Sequence, residues 1–336
     1  MNLIYECARP LLAACNPETA HSLTLRGLRL SGRFSGGGKP QGTAVELAGL
    51  TFSNRVGLAA GFDKNGEAIV GLTRLGFGFI EIGGVTPLAQ PGNPKPRVYR
   101  LASYGAVINR LGFNNDGVER IHDRLKQTPA IKPTLLGVNL GINRDTPIEE
   151  AARDYLTCMR SLCEFADYFT INISSPNTPR LRELHYGQQL KLTLKSVLTE
   201  RDKLVQTSGC RLPVFVKVSP DLDTITTQEL AQRIREAGCD GLIATNTTTD
   251  RSSIRHRLAN QEGGLSGRPL LERSLSTVMC IREAVGADFP IVGVGGISSG
   301  TDAIAMREAG ADLIQVYTAL VYRGPRLVRE LVSATD

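Results

Sequence analysis

Two lysines and three runs of uncharged polar residues carry the chemistry that this 336-residue chain offers. The runs are Val138-Asn139-Leu140-Gly141, Asn172-Ile173-Ser174-Ser175-Pro176-Asn177-Thr178-Pro179 and Thr245-Asn246-Thr247-Thr248, each at the end of an apolar segment. Asn and Thr offer hydrogen bonds without charge, so a converging set suits a neutral or amide-rich heterocycle better than hydrolysis. Taken singly, each Asn also fits an ordinary turn. Lys217 closes the apolar run Val214-Phe215-Val216. A lysine so placed needs a phosphate, a carboxylate or an electron-rich ring, because an unpaired buried charge is costly. A Schiff-base role competes with that reading. In Ala59-Ala60-Gly61-Phe62-Asp63-Lys64-Asn65-Gly66, small residues admit a planar ligand and Lys64 offers it a cation; a tight turn with a solvated lysine fits equally.

Those residues need elements to position them. Apolar runs at 55–60, 78–83, 134–140, 168–174, 213–218, 241–246, 290–295 and 312–318 are apolar nearly throughout, as strands covered on both faces are. Helical segments such as 148–164, 187–205 and 227–237 alternate with them. Eight such units predict an α/β fold, a (β/α)8 TIM barrel over 46–336, with its chemistry at the carboxyl ends of the strands. The gap of about fifty residues between the second and third strands predicts an inserted loop or hairpin. Gly293-Val294-Gly295-Gly296-Ile297 and Gln315-Val316-Tyr317-Thr318 end the last two strands, where this fold cradles phosphate. Gly263-Gly264-Leu265-Ser266-Gly267 adds further backbone donors. A dinucleotide fold is disfavoured, because no GxGxxG follows the first strand.

Residues 1–45 stand outside the repeat, as a small N-terminal helical extension. Leu3, Ile4, Cys7, Ala8, Leu11, Leu12 and Cys15 form one helical stripe. Asn16-Pro17 then reads as an N-cap and first-turn proline of a second helix, with Arg26, Arg29 and Arg33 along one side. Gly36-Gly37-Gly38-Lys39-Pro40 reads as a flexible linker. Five basic residues here (Arg9, Arg26, Arg29, Arg33, Lys39) face only Glu6 and Glu18. Pattern alone favours a helical cap packed on a barrel over helices resting on an anionic membrane.

An apolar fraction of 41% with 21% charged residues excludes a disordered chain, a coiled coil and a collagen. No apolar run approaches a spanning helix. The net charge of +6 suits anionic ligands, anionic lipid or nucleic acid alike. No basic cluster interleaves with aromatics, so no nucleic-acid partner is expected. Seven cysteines without CxxC spacing suggest neither a disulfide framework nor a metal site. Together with the absence of a secretory signal, they predict a cytoplasmic protein.

In order along almost the whole chain, the stretches 16–18, 58–66, 108–115, 172–179, 245–248, 263–269 and 293–297 resemble the dihydroorotate dehydrogenases, specifically the class 2, quinone-dependent, membrane-associated form. The resemblance implies FMN, one per chain, and oxidation of (S)-dihydroorotate to orotate in pyrimidine synthesis. It implies that Ser175 is the catalytic base, taking the C5 proton while a hydride passes from C6 to flavin N5. Class 1 enzymes carry Cys there, so Ser175 favours class 2. Lys64, Asn109, Arg110, Leu111, Gly112, Phe113, Asn172, Asn177, Asn246 and Thr247 match substrate positions. Ala60, Gly61, Phe62, Asp63, Lys64, Gly84, Asn139, Asn172, Lys217, Thr245, Gly267, Gly296, Tyr317 and Thr318 match flavin positions. Lys217 then stabilises electron-rich reduced flavin, in preference to the Schiff-base role. His21, Arg100 and Tyr317 match the quinone path.

The resemblance also reverses the reading of residues 1–45, which become a membrane-facing cap and quinone access route. It implies a peripheral, monomeric protein on the cytoplasmic face of a bacterial inner membrane. Four positions depart from the family pattern. Gly84 stands where Thr or Ser is usual, Leu88-Ala89 replaces a basic residue and proline, and Arg180 replaces a glycine. None removes a catalytic group.

Overall fold

The computed structural model describes residues 2–32, 41–178, 180–185, 187–209 and 211–336. Arg33, the glycine linker 36–40, Pro179 and Cys210 lie outside the described residues.

Eight parallel strands close into a barrel in chain order. They are β1 (Val56–Leu58), β2 (Phe79–Val85), β3 (Leu135–Leu140), β4 (Tyr168–Asn172), β5 (Val214–Val218), β6 (Gly241–Ala244), β7 (Ile291–Val294) and β8 (Leu313–Val316). Every one of the expected apolar runs supplies a strand. The strands are buried along their whole length, because helices cover the outside and side chains fill the inside. Three strand glycines make that filling fit. A Cβ on Gly57, Gly137 or Gly241 would meet the ring of Phe79, Tyr168 or Phe215 on the adjacent strand at 2.2, 2.1 and 2.5 Å. The N-terminal hairpin of Val45–Leu47 and Leu50–Phe52 adds Phe52, whose ring meets Phe79 edge-on at 5.2 Å. This aromatic layer closes one end of the barrel and leaves the carboxyl ends of the strands for the site.

The long gap between β2 and β3 holds the expected hairpin, Val98–Leu101 paired with Ala106–Asn109. The glycine run Gly264–Gly267 pairs with it as a third strand, Gly264 opposite Asn109. That pairing is why the glycines matter: a Cβ on Gly264 would meet the Thr247 side chain at 1.8 Å, and one on Gly263 the Asn109 carbonyl at 2.1 Å.

Ahead of the barrel lie α1 (Asn2–Ala14) and α2 (Pro17–Gly32). Asn16 caps α2, its Oδ1 accepting from Glu18 N at 3.0 Å. Close approach docks α2 on the helix Ile69–Thr73: a Cβ on Gly71 would meet the Leu28 carbonyl oxygen at 2.0 Å. Ala20 and Leu25 bury, whereas Leu11, Leu23 and Leu30 are 72%, 45% and 53% exposed. Both helices therefore have an apolar face that the barrel leaves uncovered. Among the described residues no helix is long and apolar enough to cross a membrane.

Candidate active site

A cavity of about 1170 Å3 runs from between α1 and α2 to the carboxyl ends of the barrel strands. The strand order brings distant residues to it: Lys64 after β1, Gly84 on β2, Asn139 on β3, Asn172 and Ser175 on and after β4, Lys217 on β5, Thr245 and Asn246 after β6. Leu111, Gly112, Phe113, Asn177, Thr247, Gly267, Gly296, Tyr317 and Thr318 line it too, with Asn109 from the hairpin and Ala60, Gly61 and Phe62 from the first loop.

The polar groups form two hydrogen-bonded series, one from Glu81 to Asn246 and one from Ser175 to Asn109. Asn139 Nδ2 donates to Glu81 Oε1 at 2.8 Å, and Asn172 Nδ2 donates to Asn139 Oδ1 at 3.0 Å. Asn172 Oδ1 accepts from the Ser174 backbone N–H and hydroxyl at 3.2 and 3.1 Å. Asn246 Nδ2 donates to Ser174 Oγ at 3.0 Å. Ser175 Oγ accepts from Asn177 N at 3.2 Å, and Asn177 Nδ2 donates to Asn109 Oδ1 at 3.4 Å. Burial demands such partners of amides and hydroxyls.

Lys217 is buried and Lys64 is half-buried. Lys64 Nζ donates to Gly61 O at 2.8 Å. Desolvation first, and the Arg97 guanidinium second, push its pKa down to about 8, against the carboxylates of Glu18 and Asp63. Lys217 is lowered as well, by burial, with Glu81 opposing. On the α2 side, burial and then Lys64 press His21 down to about 4, so its imidazole is neutral at pH 7. The His21 ring meets Phe62 edge-on at 5.2 Å, and Phe62 meets Tyr317 at 5.4 Å, forming an aromatic series from α2 to the end of β8.

Two expected residues do not line this cavity. Asp63 is fully buried beneath the loop, its carboxylate accepting from the N–H groups of Glu67 and Ala68 at 2.8 and 2.7 Å. It shapes the turn that presents Lys64. Arg110 donates to Pro96 O at 3.0 Å and pairs with Glu262 at 3.5 Å; it lines an adjoining outer cavity of about 560 Å3 that shares Ser175 and Asn177 with the main one. Arg100 lines the main cavity, yet its guanidinium is taken up by the carbonyls of Leu12 and Ala13 at 2.9 and 3.1 Å, and of Cys15, which places it as a cap on the end of α1.

Other residues come into view only here. Glu81 is fully buried in the barrel, and the one visible signal for it is a lone acid in the apolar run Phe79-Ile80-Glu81-Ile82. Glu18 and Arg97 form a pair at 2.9 Å that no spacing announces, since 79 residues separate them. Of the departures, Gly84 has a steric partner: a Cβ there would meet the Phe113 ring at 2.7 Å. Arg180 holds a left-handed φ of 56°, the conformation a glycine adopts freely, and pairs with Glu183 at 2.9 Å. Leu88 is exposed, its N–H donating to Asn143 Oδ1 at 3.0 Å.

The family description Dihydroorotate dehydrogenase matches residues 43–334. Proteins named dihydroorotate dehydrogenase (quinone) from Polaromonas naphthalenivorans and from Azoarcus sp. are each 47% identical, covering 99% of this chain and 98% of their own. A crystal structure of a dihydroorotate dehydrogenase from Eimeria tenella in complex with ferulenol superposes with a TM-score of 0.89 at 37% identity, covering 97% of this chain and 93% of that one. Barrel, site and full-length likeness agree, and the chain belongs to the dihydroorotate dehydrogenase family, in its quinone-dependent class.

Proposed function

We propose that this chain oxidises (S)-dihydroorotate to orotate in de novo pyrimidine synthesis and passes the electrons to a membrane quinone. The observation that supports this most is the single cavity joining Ser175 and Lys64 at the barrel mouth to the two N-terminal helices. A substrate at one end and a quinone at the other would share one electron carrier between them.

The family implies a flavin, and we take it to be FMN, one per chain. The residues fit it. Asn139, Asn172 and Thr245 line the wall with amide and hydroxyl groups, and Lys217 is a buried cation on the same wall. Gly61 leaves room for a flat ring, since a Cβ there would come no closer than 3.4 Å to anything but its neighbours. These five, with Gly267, Gly296 and Thr318 from the last loops, would hold the group. When bound, the flavin supplies a two-electron acceptor.

The chain's own residues do the rest. Ser175, 7% exposed, takes the proton from C5 of dihydroorotate in a site that excludes bulk water. Lys64 neutralises the substrate carboxylate, and its lowered pKa lets it do so only while protonated. Asn109, Asn177, Asn246 and Thr247 satisfy the ring's amide edges. Lys217 stabilises negative charge that develops on the electron acceptor. At the other end, His21, Phe62 and Tyr317 flank the quinone path, and Arg100 holds its helix in place. We read residues 1–45 as the membrane cap: Leu11, Leu23 and Leu30 meet lipid while Arg26 and Arg29 meet anionic headgroups, at the cytoplasmic face of a bacterial inner membrane. We take the working unit to be a monomer.

The test is an anaerobic visible spectrum of the purified protein before and after dihydroorotate. Flavin bands that bleach, and recover with quinone, are the expected result. Bands that persist in folded protein would overturn the substrate, and recovery with fumarate or NAD in place of quinone would overturn the acceptor.

A further inference from the structure

Glu81 lies inside the barrel with no exposed surface, on β2, and four donors converge on its carboxylate. Asn139 Nδ2 reaches Oε1 at 2.8 Å, while Gln315 Nε2, Tyr168 Oη and Thr170 Oγ1 reach Oε2 at 2.8, 3.2 and 3.2 Å. A carboxylate accepts and cannot donate, whereas an amide can present either end. The first bond therefore dictates every later one. Asn139 must turn its NH2 group toward Glu81 and its carbonyl toward Asn172. Asn172 must then donate to Asn139, which leaves its own carbonyl for Ser174 and Asn246. Asn246 in turn donates to both. Each NH2 carries two hydrogens and each donates once among the described residues, so Asn139 and Asn172 each keep a second amide N–H; both residues line the cavity, Asn172 with 6% of its surface exposed and Asn139 with none.

We propose that Glu81 is a positioning residue that sets the hydrogen-bond polarity of the barrel mouth, so that Asn139 and Asn172 present N–H donors to ligand carbonyl oxygens and ring nitrogens. It touches no ligand itself. The inference rests on the reading above only in naming those ligands as the flavin and the dihydropyrimidine. Gln315 provides a way to separate polarity from charge. Its Oε1 is buried with no hydrogen-bond partner. In Glu81→Gln the amide carbonyl can keep Asn139 as it is, and the NH2 group can donate to a reversed Gln315. In Glu81→Met nothing accepts from Asn139, and its amide is free to turn.

The experiment measures dissociation constants of FMN and of orotate from holoenzyme by flavin fluorescence and absorbance. Glu81→Met is expected to weaken both by about tenfold, one charge-assisted hydrogen bond's worth. Glu81→Gln is expected to stay within about threefold of the parent. Equal weakening in the two variants, or none in either, would overturn the proposal. Should Glu81→Met not fold, Glu81→Gln and Glu81→Thr are each combined with Asn139→Ala. Loss of the Glu81 effect once Asn139 is gone supports the relay, and additive effects overturn it. Parent protein whose flavin ignores dihydroorotate would instead defeat the functional reading, and the FMN constants decide the relay in that case.

Discussion

The barrel mouth and the N-terminal helices hold themselves together in opposite ways. At the mouth, Asn139, Asn172 and Ser174 are 6% exposed or less, and bonded in a series that ends on a buried carboxylate. The cap, beyond the packing of α2 on Ile69–Thr73, meets the barrel through separate clasps: Glu18 to Arg97 at 2.9 Å, Arg100 to the carbonyls ending α1, Tyr5 Oη to Val321 O at 3.0 Å, and Arg326 to Glu6 at 2.9 Å. Buried amides bonded to one another are held rigid, which suits proton abstraction at a fixed carbon. Clasps between partly solvated groups can open one at a time, which suits passage of a long apolar molecule. The two half-reactions should therefore fail separately.

Removal of the base is the sharpest way to split them. Ser175→Ala should retain flavin and lose about 10^2 to 10^4 in the rate of flavin reduction by dihydroorotate. Reoxidation of chemically reduced flavin by quinone should be unchanged. Near-normal reduction, followed by anaerobic stopped-flow, would sink the base assignment.

Lys64→Met should weaken orotate by about a hundredfold at pH 7, since one charge-assisted contact in a dry site is lost. The pH dependence carries the sign. An ammonium with a pKa of about 8 is charged below that value and neutral above it. Orotate affinity of the parent should therefore fall as pH rises through about 8, with the break displaced upward in the complex because the anion favours the protonated lysine. Titration of orotate across pH 6 to 10 checks this; a parent profile that is flat there would remove Lys64 from the carboxylate.

How far these assignments were visible in the residues differs between the two regions for the same physical reason. Strands buried on both faces leave continuous apolar runs, and all eight runs became barrel strands. Their ends must carry the polar groups, so Asn139, Asn172, Ser175, Lys217 and Thr245 could be read in order. The sign of their hydrogen bonds could not, because Glu81 acts from inside a strand where its neighbours are apolar. Arg110 follows Asn109 but turns to the other side of the strand end, into an outer cavity that adjoins the main one at Ser175 and Asn177. Asp63 was drawn inward to cap its own loop. In the cap, the apolar stripe and the Asn16 cap were legible, while the clasps join residues about 80 to 320 apart and leave no local trace.

The cap's exposed apolar face gives a third, smaller effect. Leu23→Asp combined with Leu30→Asp should raise the KM for a long-chain quinone by about tenfold in the presence of anionic vesicles, through lost apolar contact with lipid. Dihydroorotate reduction of the flavin should not change. Vesicle co-sedimentation equal to the parent would show that another surface meets the membrane.

The smallest effect expected is the one that tests whether the two regions are separate at all. Glu18 belongs to the cap, on the first turn of α2, yet its carboxylate acts on Lys64 at the barrel mouth. It does so directly, by favouring the protonated lysine, and through Arg97, whose opposing positive charge it neutralises at 2.9 Å. Glu18→Gln removes both influences, and both removals lower the lysine's pKa. The break in orotate affinity should then move below about pH 8, leaving affinity at pH 6 near the parent's and about threefold weaker at pH 7.5. Quinone KM should rise as well, because the same substitution loosens one clasp of the cap. A shift in the orotate profile without a change in quinone kinetics would assign Glu18 to the substrate site alone. A quinone effect with an unmoved profile would confine it to the cap, and the comparison would stand undivided. Both changes together would mean that one carboxylate ties substrate charge recognition to the seating of the cap, so that opening the quinone route would itself loosen the hold on orotate.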